Sequence, residues 1–508
     1  MTFQTPENDR LLSLPVLRGG PAHPAVEPAE AREAKEKCGV FGVWGVPDGA
    51  HRSYLALFAQ QHRGQESAGI AVSDGRKLAA QTGMGLVSEV FSGRALRDLE
   101  GDRCRGAIGH NRYSTAGGSL TCNAQPLLEQ YVDGQVAVAH NGNLVNAEAL
   151  RRLYEENGHI FHTTSDTEVV VHLLASPRQQ RTPDPLAATL RRLQGAFSIL
   201  FLFPDRIEAA RDPWGWRPLA LGTTHDGRPC VASETVALDA IGATFDREVE
   251  PGEIVTLSDA GVTSRRFSDP AERPALCVFE HVYFAGPASV IFGQTVQVVR
   301  ERLGEQLARE APPPKGADFV MPMPDSGRSA ASGYARASSL NYREGIVPNR
   351  YVGRTFIKPT QGERNAAVRL KLNVVREIVE GKSIIVVDDS IVRGTTTRAK
   401  MEQLRAAGAR EIHLRISCPP IRHPCYFGVD FAERSQLIAH NRTVDQVREF
   451  VGVDSLAYLS LDGLLQCVAT RQRPAEHYCT ACYSGDYRID IDHPTAHEAL
   501  EPRQMSWF

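Results

Sequence analysis

Two adjacent carboxylates, Asp388 and Asp389, follow a short apolar run of β-branched residues that predicts a buried strand. A hydroxyl-rich segment that leads into a predicted helix comes next: Ser390, Arg393, Gly394, Thr395, Thr396 and Thr397. Hydroxyls and backbone N–H groups at a helix N-terminus bind anions, whereas two aspartates would repel a bare phosphate. The aspartates suit ribose hydroxyls or a divalent cation instead. The segment therefore predicts a site for a phosphorylated sugar with a metal ion nearby, rather than a strand end with solvated aspartates.

Cys38 is a second candidate for chemistry, at the start of a Gly-spaced apolar run that predicts a strand. A cysteine in such a place is usually a small hydrophobic residue. Four later segments argue against that interpretation when they are taken together and in order: residues 60–70, 109–117, 139–144 and 163–168. Of these, residues 139–144 predict a turn after a strand that ends at Ala139.

Cys479 and Cys482 form a CxxC pair, which alone could serve redox chemistry, bind zinc or be accidental. The pair does not open a thioredoxin-like βαβ unit, which argues against redox chemistry. Two further thiols would complete a zinc site or an iron–sulfur cluster on residue count alone. The second half of the chain holds four more cysteines: Cys277, Cys418, Cys425 and Cys467.

The bulk composition limits the classes of protein that these residues can belong to. The chain has 508 residues, so two or more domains are expected. A net charge of −3 gives no global attraction to nucleic acid or to an anionic membrane, so neither is expected as a partner. No run of 18 apolar residues is present, and residues 1–37 lack the pattern of a secretory signal. Those 37 residues are rich in Pro, Ala, Glu and Arg and predict a disordered or loosely helical leader.

The elements that must position the sugar site begin near Ala275. The predicted order is a strand, a helix over about 293–310, a second strand and a turn that contains Ser326. A basic, Gly-hinged segment with Arg354 and Lys358 follows. A charge run is usually a solvated face, but a pyrophosphate leaving group needs cationic cover, which favours a flap over the site.

Two families resemble parts of the chain. The Cys-Gly-Val-Phe-Gly, His-Arg-Gly-Gln and His-Asn-Gly-Asn motifs, at residues 38–42, 62–65 and 140–143, resemble the N-terminal-nucleophile (Ntn) glutaminases. The loop at 383–397 resembles the phosphoribosyl pyrophosphate (PRPP) loop of type I phosphoribosyltransferases. The fold class implied is α/β plus α+β: an Ntn αββα sandwich, then an α/β domain with a mainly parallel sheet. The implied boundaries are 1–37 for a propeptide, 38–274 for the glutaminase, 275–475 for the phosphoribosyltransferase and 476–508 for a tail.

The glutaminase resemblance assigns a role to each site residue. Cys38 would be the nucleophile, with its own α-amino group as the general base, which requires cleavage between Lys37 and Cys38. An α-amine has an unperturbed pKa of roughly 7.7–8.0, which suits this role. Asn141 and the backbone N–H of Gly142 would form the oxyanion hole. The implied glutamine-binding residues are Arg112 for the α-carboxylate, Asp166 for the α-ammonium, and Arg63, Tyr113 and Thr115 for the pocket. The segments 212–219, 233–235 and 251–253 also match the family and are interpreted as scaffold.

In the phosphoribosyltransferase resemblance, Asp388 and Asp389 contact the ribose hydroxyls and the threonine-rich turn holds the 5′-phosphate. The turn with Ser326 would lie near the pyrophosphate and Mg²⁺, which Ser326, Asp388 and Asp389 would bind. Arg354 and Lys358 would belong to the flap that closes over PRPP.

From Cys38 to about Asp486, the chain resembles the amidophosphoribosyltransferase family, in its iron–sulfur-containing branch. The motifs are Cys-x-x-Glu-x-x-Tyr-Phe at 277–284, His-Pro-Cys at 423–425 and the terminal CxxC. They imply one [4Fe–4S] cluster per subunit on Cys277, Cys425, Cys479 and Cys482, with Cys425 preferred to Cys418.

The resemblance also implies substrates and partners. Glutamine and PRPP would give 5-phosphoribosylamine, pyrophosphate and glutamate, the first committed step of purine synthesis. Purine nucleotides would act as feedback inhibitors on a cytoplasmic homotetramer or homodimer. Two alternatives remain, a hexosamine-phosphate synthase with the same first half and a PRPP- or nucleotide-sensing regulator.

Overall fold

The computed structural model describes residues 38–101, 103–113, 120–349, 372–429 and 434–491. The leader 1–37, Thr115, Arg354 and Lys358 lie outside the described residues. Among the residues that are described, no helix combines the length and apolar character that crossing a membrane requires.

The first half of the chain contributes two antiparallel sheets. Its strands are β1 (Gly39–Trp44), β2 (Ser67–Ser73), β3 (Leu78–Met84), β4 (Gly106–Arg112), β5 (Leu127–Tyr131), β6 (Gly134–Leu144), β7 (Gly195–Phe203), β8 (Arg206–Arg211), β9 (Ala220–Thr223), β10 (Pro229–Ala232), β11 (Thr244–Glu248), β12 (Glu253–Ser258) and β13 (Gly261–Arg266). One sheet has the order β11-β9-β10-β1-β4-β2-β3 and the other the order β13-β12-β8-β7-β6-β5.

Strand β1 shows why the two sheets stack. All six of its residues are buried, which a strand achieves only when both faces of its sheet are covered. Successive side chains point to opposite faces. Phe41 and Val43 therefore pack on the helix side of the sheet, while Val40 and Trp44 pack against the second sheet.

Helices cover the outer face of each sheet. The helices of the first half are Gly49–Ala59, Val87–Val90, Gly93–Glu100, Ala147–Glu156, Thr167–Ala175, Pro177–Gln180, Pro185–Leu190 and Thr235–Ala240. Gly49–Ala59 packs on the β1 sheet, and Thr167–Ala175 packs on the other. The layers follow the order helix, sheet, sheet, helix, which confirms the predicted αββα sandwich.

The second half is built on a parallel sheet. Its strands are β14 (Leu276–Cys277), β15 (Val290–Ile291), β16 (Gln294–Thr295), β17 (Phe319–Pro322), β18 (Ile346–Pro348), β19 (Leu372–Val374), β20 (Ser383–Asp388), β21 (Glu411–Ile416), β22 (Ser455–Tyr458) and β23 (Tyr478–Cys479). The described strands β17-β20-β21-β22 form a sheet in that order, with every pair parallel. The predicted mainly parallel α/β sheet is confirmed, with the aspartate-bearing strand β20 inside it.

Helices surround this sheet, and one turn is π-helical, Glu280–Phe284. The α-helices of this half are Val296–Glu310, Arg328–Ser338, Arg376–Val379, Thr395–Ala406, Val444–Val451, Leu461–Val468 and Ala481–Ser484. Strand β23 pairs in parallel with β14. The terminal CxxC segment therefore returns to the start of the second half.

Two glycines allow the helices Val296–Glu310 and Arg328–Ser338 to approach closely. A Cβ atom at Gly304 would lie 1.8 Å from the Ala330 carbonyl oxygen, and one at Gly333 would lie 1.9 Å from the Glu301 carbonyl oxygen. Neither distance is sterically possible, so any larger residue must separate the helices.

We expect Gly304→Ala or Gly333→Ala to lower the free energy of unfolding by about 1–3 kcal/mol, the usual cost of overpacking. The thermal unfolding midpoint measures this. Gly93→Ala is the matched control, because Gly93 is an exposed helix residue whose Cβ would meet only the end of Arg97, at 3.6 Å. An unchanged midpoint in both crossing variants would contradict the close helix contact.

Candidate functional sites

Cys38 lies at the open end of a strand pair. Strands β1 and β4 are antiparallel with Gly39 opposite Asn111, which puts Cys38 across from Arg112. The Cys38 thiol is 6% exposed and its Sγ donates to the Tyr113 carbonyl oxygen at 3.6 Å. The register of two strands thus brings three of the predicted glutaminase residues together.

Asn141 and Gly142 lie inside strand β6, so the predicted turn at 139–144 is wrong. The strand continues to Leu144 because β7 pairs with it along this stretch, with Ser198 opposite Asn141. Gly142 has a φ of +153°, and a Cβ there would lie 2.0 Å from the Ala196 carbonyl oxygen. The position requires glycine because of this close strand contact.

Ser233 connects Asn141 to the strand that follows Cys38. Its Oγ accepts the Asn141 Nδ2–H at 3.2 Å and the backbone N–H of Val40 at 3.0 Å. One hydroxyl therefore joins the two sheets at the level of the predicted nucleophile and oxyanion hole.

Arg112 and Asp166, two of the predicted glutamine-binding residues, are both buried. A loop was predicted for residues 109–117, but Arg112 lies at the end of strand β4. Its side chain donates to Glu66 at 2.6 Å. Asp166 accepts the Leu144 N–H at 3.0 Å and lies 3.6 Å from His140 Nδ1. Burial opposes ionisation of Asp166, but His140 and the Leu144 N–H hold the pKa of its carboxyl below the ordinary value. An ionised Asp166 suits an ammonium ligand.

Arg63 is fully buried and contacts the backbone of Cys38. Its Nε donates to the Cys38 carbonyl oxygen at 2.9 Å, and its terminal nitrogens bind Glu234 and Glu280. Burial lowers the pKa of the guanidinium, but the two carboxylates more than offset this and raise it above the ordinary value. The geometry gives Arg63 a contact with the Cys38 main chain in addition to its predicted place in the pocket.

Four residues near Cys38 were not predicted from the sequence as site residues: Ser233, Glu234, Arg217 and Glu280. Residues 233–235 were interpreted as scaffold, yet Ser233 holds Asn141 and Glu234 binds Arg63. Two polar residues directly after a buried apolar strand, Pro229–Ala232, were the available signal. Arg217 and Glu280 lie in segments that match family motifs, 212–219 and 277–284, but the sequence did not predict that they contact each other or that Glu280 contacts Arg63.

The predicted sugar site lies at the carboxyl end of strand β20, where parallel sheets bind ligands. Asp388 and Asp389 are each 6% exposed, and the Asp389 N–H donates to Asp388 Oδ1 at 3.0 Å. Burial, followed by the charge of Asp389, raises the pKa of Asp388 well above the ordinary value. Two buried carboxylates in contact suit a bound cation.

The helix Thr395–Ala406 begins beside these carboxylates. Gly394 precedes it with a φ of +78° and has no side chain to cap the first turn. The first N–H groups of a helix have no partner within it and attract anions. The predicted threonines form this first turn, and Thr397 is buried there. Arg393 pairs with Gln436.

The turn with Ser326 approaches the same strand end. The Met323 N–H donates to the Val387 carbonyl oxygen at 2.8 Å. A Cβ at Gly327 would lie 2.4 Å from that same oxygen. The three predicted metal-binding residues, Ser326, Asp388 and Asp389, are therefore on adjacent segments.

Four predicted cluster cysteines lie in one buried region. Cys277 and Cys479 face each other in the β14–β23 pair. The Cys482 carbonyl oxygen accepts the N–H groups of Arg422 and His423 at 3.0 and 3.1 Å, which brings the Cys425 segment alongside. Burial is the first cause that raises the pKa of each thiol, to about 12 for Cys277 and about 11 for Cys479. The charges of neighbouring cysteines raise the pKa of Cys277, Cys479 and Cys482 further, whereas Arg217 lowers that of Cys425.

The sulfurs of Cys425 and Cys418 have different contacts. Cys425 Sγ accepts the Phe427 N–H at 3.4 Å, and Cys418 Sγ donates to the Pro419 carbonyl oxygen at 3.3 Å. Burial raises the pKa of both thiols, so the preference for Cys425 stays a prediction from the motif. Arg217 places a positive charge 4.0 Å from Cys277 Sγ. In the part of the chain that the structure describes, no three His, Cys, Asp or Glu side chains converge as ligands of a single metal ion do.

Comparison with known proteins covers both halves. A family model described as a glutamine amidotransferase domain matches residues 110–240. The chain is 47% identical over 456 residues to the chloroplastic amidophosphoribosyltransferase 1 of Arabidopsis thaliana, covering 90% of this chain and 79% of the relative.

Two solved structures are similar over nearly the whole chain. One, described as the allosteric regulatory enzyme of purine biosynthesis, has a TM-score of 0.83 and 46% identity, covering 89% of this chain and 97% of that one. The other is a glutamine PRPP amidotransferase from B. subtilis complexed with ADP and GMP. It has a TM-score of 0.82 and 45% identity and covers 89% and 98% of the two chains. Together with the geometry of the two sites, these similarities show that the chain belongs to the amidophosphoribosyltransferase family.

Proposed function

We propose that this chain hydrolyses glutamine at Cys38 and uses the ammonia to convert PRPP into 5-phosphoribosylamine, the first committed step of purine synthesis. The observation that carries this proposal is the pairing of two sites in one chain. Ser233 holds Asn141 beside the strand of Cys38, and Asp388 and Asp389 lie at the carboxyl end of β20. A hexosamine-phosphate synthase would lack the second site, and a sensor would not need the first.

In the glutaminase reaction, the Cys38 thiol attacks the amide carbon and its α-amine accepts the thiol proton. Asn141 Nδ2 and the Gly142 N–H donate to the oxygen that becomes negative. The amine passes its proton to the departing ammonia, and water then hydrolyses the thioester to glutamate. Arg112 and Asp166 hold the α-carboxylate and α-ammonium, with Tyr113 and Thr115 at the pocket. The α-amine exists only after residues 1–37 are removed.

In the transferase reaction, the first turn of the helix Thr395–Ala406 binds the 5′-phosphate. Asp388 and Asp389 accept hydrogen bonds from the ribose hydroxyls, and ammonia attacks C1 as pyrophosphate leaves. Mg²⁺, held by Ser326 and these two carboxylates, would neutralise charge on the pyrophosphate. Arg354 and Lys358 supply further positive charge from the proposed flap. Because ammonia must arrive unprotonated, we also propose an internal passage between the two sites.

The cysteines fit a structural centre. A [4Fe–4S] cluster would take four thiolates. We propose Cys277, Cys425, Cys479 and Cys482 as its ligands. The cluster would add metal-binding free energy to the docking of the terminal segment. It has no role in the chemistry, because the reaction contains no redox step.

We also propose that purine nucleotides inhibit the enzyme and that it forms a homo-oligomer. Purine nucleotides as feedback inhibitors find support in the B. subtilis structure, whose description includes ADP and GMP. A cytoplasmic homotetramer or homodimer remains a prediction from the family resemblance.

Cys38→Ala should reduce glutamine-dependent synthesis at least on the order of 10³-fold, because no other group replaces the thiol. Ammonia-dependent synthesis should stay within about twofold, since the second site does not use the thiol. Intact mass should show that this variant keeps residues 1–37, because we propose that the chain itself cleaves the bond between Lys37 and Cys38 and needs the Cys38 thiol to do so. Cys104→Ala, at another buried cysteine of the first half, is the control. Glutamine use by Cys38→Ala would contradict the assignment.

The double variant Asp388→Ala/Asp389→Ala should reduce the rate of synthesis from both glutamine and ammonia by about 10- to 100-fold, which corresponds to the free energy of the lost charged hydrogen bonds. Either single Asn substitution should be milder if hydrogen bonding matters more than metal contact. Asp318→Asn is the control, because Asp318 binds the Ser383 N–H at the other end of β20. Wild-type rates in the double variant would refute the site.

The raised pKa of Asp388 predicts an effect on stability. The unfolded carboxyl ionises near pH 4, whereas the folded one resists ionisation, so this group destabilises the ligand-free fold increasingly as pH rises above 4. Asp388→Asn should therefore raise the thermal midpoint at pH 8 without PRPP and Mg²⁺, and by less at pH 5. A lower midpoint at pH 8 would contradict the unfavourable burial.

Iron and sulfide analysis of anaerobically purified protein tests the cluster. We expect about four irons per chain in the wild type and in Cys418→Ser, and loss of iron in Cys425→Ser. Oxygen exposure should release the iron and make residues after about 472 sensitive to protease. Stoichiometric zinc without iron would show a different metal, and iron retained only by Cys425→Ser would show that Cys418 is the fourth ligand.

A further inference from the structure

Glu280 belongs to the second half of the chain, yet its carboxylate lies next to the proposed glutaminase nucleophile. It begins the π-helical turn Glu280–Phe284 and is fully buried. Its two oxygens accept from two nitrogens of Arg63, at 2.8 and 3.0 Å. Such a bidentate pair fixes the plane of the guanidinium as well as its position.

Arg63 transmits this geometry to Cys38. With its terminal nitrogens on the carboxylates, its Nε points at the Cys38 carbonyl oxygen, 2.9 Å away. Once residues 1–37 are removed, Cys38 is joined to the chain on one side only. Its carbonyl carbon, its α-amine and the Cβ that carries the thiol are all bonded to Cα. The hydrogen bond at the carbonyl oxygen therefore restrains the thiol and the α-amine as well.

Glu280 is itself held by several contacts. Arg217, which belongs to the first half, donates to Glu280 Oε1 at 3.1 Å. Arg300 donates to the carbonyl oxygens of His281 and Ala285, at 2.7 and 2.8 Å, at the two ends of the turn. The turn therefore cannot rotate Glu280 away without breaking contacts on both sides.

Glu234 completes the group and ties it to the second half again. One oxygen binds Arg63, and the other accepts the Gly286 N–H at 2.8 Å and the Ser289 hydroxyl at 2.6 Å. His62 Nε2 also contacts the Glu234 oxygen that binds Arg63, at 2.9 Å, so the group contains two guanidinium groups, two carboxylates and one imidazole. Burial opposes ionisation of Glu280, but Arg63 and Arg217 hold its pKa below the ordinary value.

We propose that Glu280 is a positioning residue for glutamine hydrolysis: through Arg63 it orients the Cys38 main chain, so that thiol and α-amine face the amide. The inference rests on the proposed role of Cys38. It makes the glutaminase reaction depend on a side chain that the phosphoribosyltransferase half supplies.

The test is Glu280→Gln in the full chain, with rates counted per chain that begins at Cys38 by intact mass. Gln keeps the shape but places an N–H₂ group against Arg63, which breaks the bidentate pair. We expect kcat for glutamine to fall about 10- to 100-fold, as a misplacement near 1 Å costs. KM for glutamine should change less than threefold, and ammonia-dependent synthesis should stay within about twofold. The alkylation rate of Cys38 by iodoacetamide, followed against pH, should change in profile.

Glu208→Gln is the matched control. Glu208 is also a buried acid, 3% exposed, and it accepts from Arg206 and Arg265 at 2.8 Å each. Glu208 lies on strand β8 and does not contact Cys38, Arg63 or Glu280. This variant should change neither the glutamine kcat nor the alkylation profile.

Glu280→Asp is the second variant, because it keeps the charge should Glu280→Gln fold poorly. Its shorter side chain should lower the glutamine kcat less than Gln does, with ammonia-dependent synthesis unchanged. Equal losses of both activities, or wild-type glutamine kcat and alkylation in both variants, would overturn the proposal. Cys38→Ala in parallel separates the causes: if it still uses glutamine, the proposed function has failed, and otherwise the failure belongs to Glu280 alone.

Discussion

The buried ion group of Arg63, Arg217, Glu234 and Glu280 is the constraint on which the arrangement of the two halves depends. Each of these side chains is at most 1% exposed, and a buried charge that loses its partner costs about 3–5 kcal/mol. The first half supplies both guanidinium groups and Glu234, and the second half supplies Glu280. Neither half can therefore bury its charges without the other, and the Cys38 main chain takes its position from both.

A second contact between the halves follows from the same group. Arg217 also donates to the Phe427 carbonyl oxygen at 2.8 Å, and Asn143 donates to the Tyr426 carbonyl oxygen at 2.9 Å. The segment after Cys425 thus covers strand β6 next to Gly142.

The two sites differ in how their charges are balanced. Around Cys38 the protein pairs its own charges, so the site is organised before substrate arrives. At β20, the pKa of Asp388 stays well above the ordinary value because burial and Asp389 outweigh the attraction of Lys400. The paired carboxylates at β20 are therefore not balanced by the protein's own charges, in contrast to those around Cys38. Such perturbed groups are typical of functional sites, where stability is given up for binding.

Residue types and local spacing predicted a sugar and metal site at Asp388 and Asp389, because the polar groups lie within a few consecutive residues, whereas the roles predicted for Cys38 and the terminal CxxC came from the family resemblance. The two fold classes also followed from local patterns and family resemblance. Tertiary structure decided the rest. The polar residues 140–143 are strand rather than turn because β7 pairs with them. Arg63 meets Glu280 across 217 positions, a distance at which no local pattern records which charge will balance which.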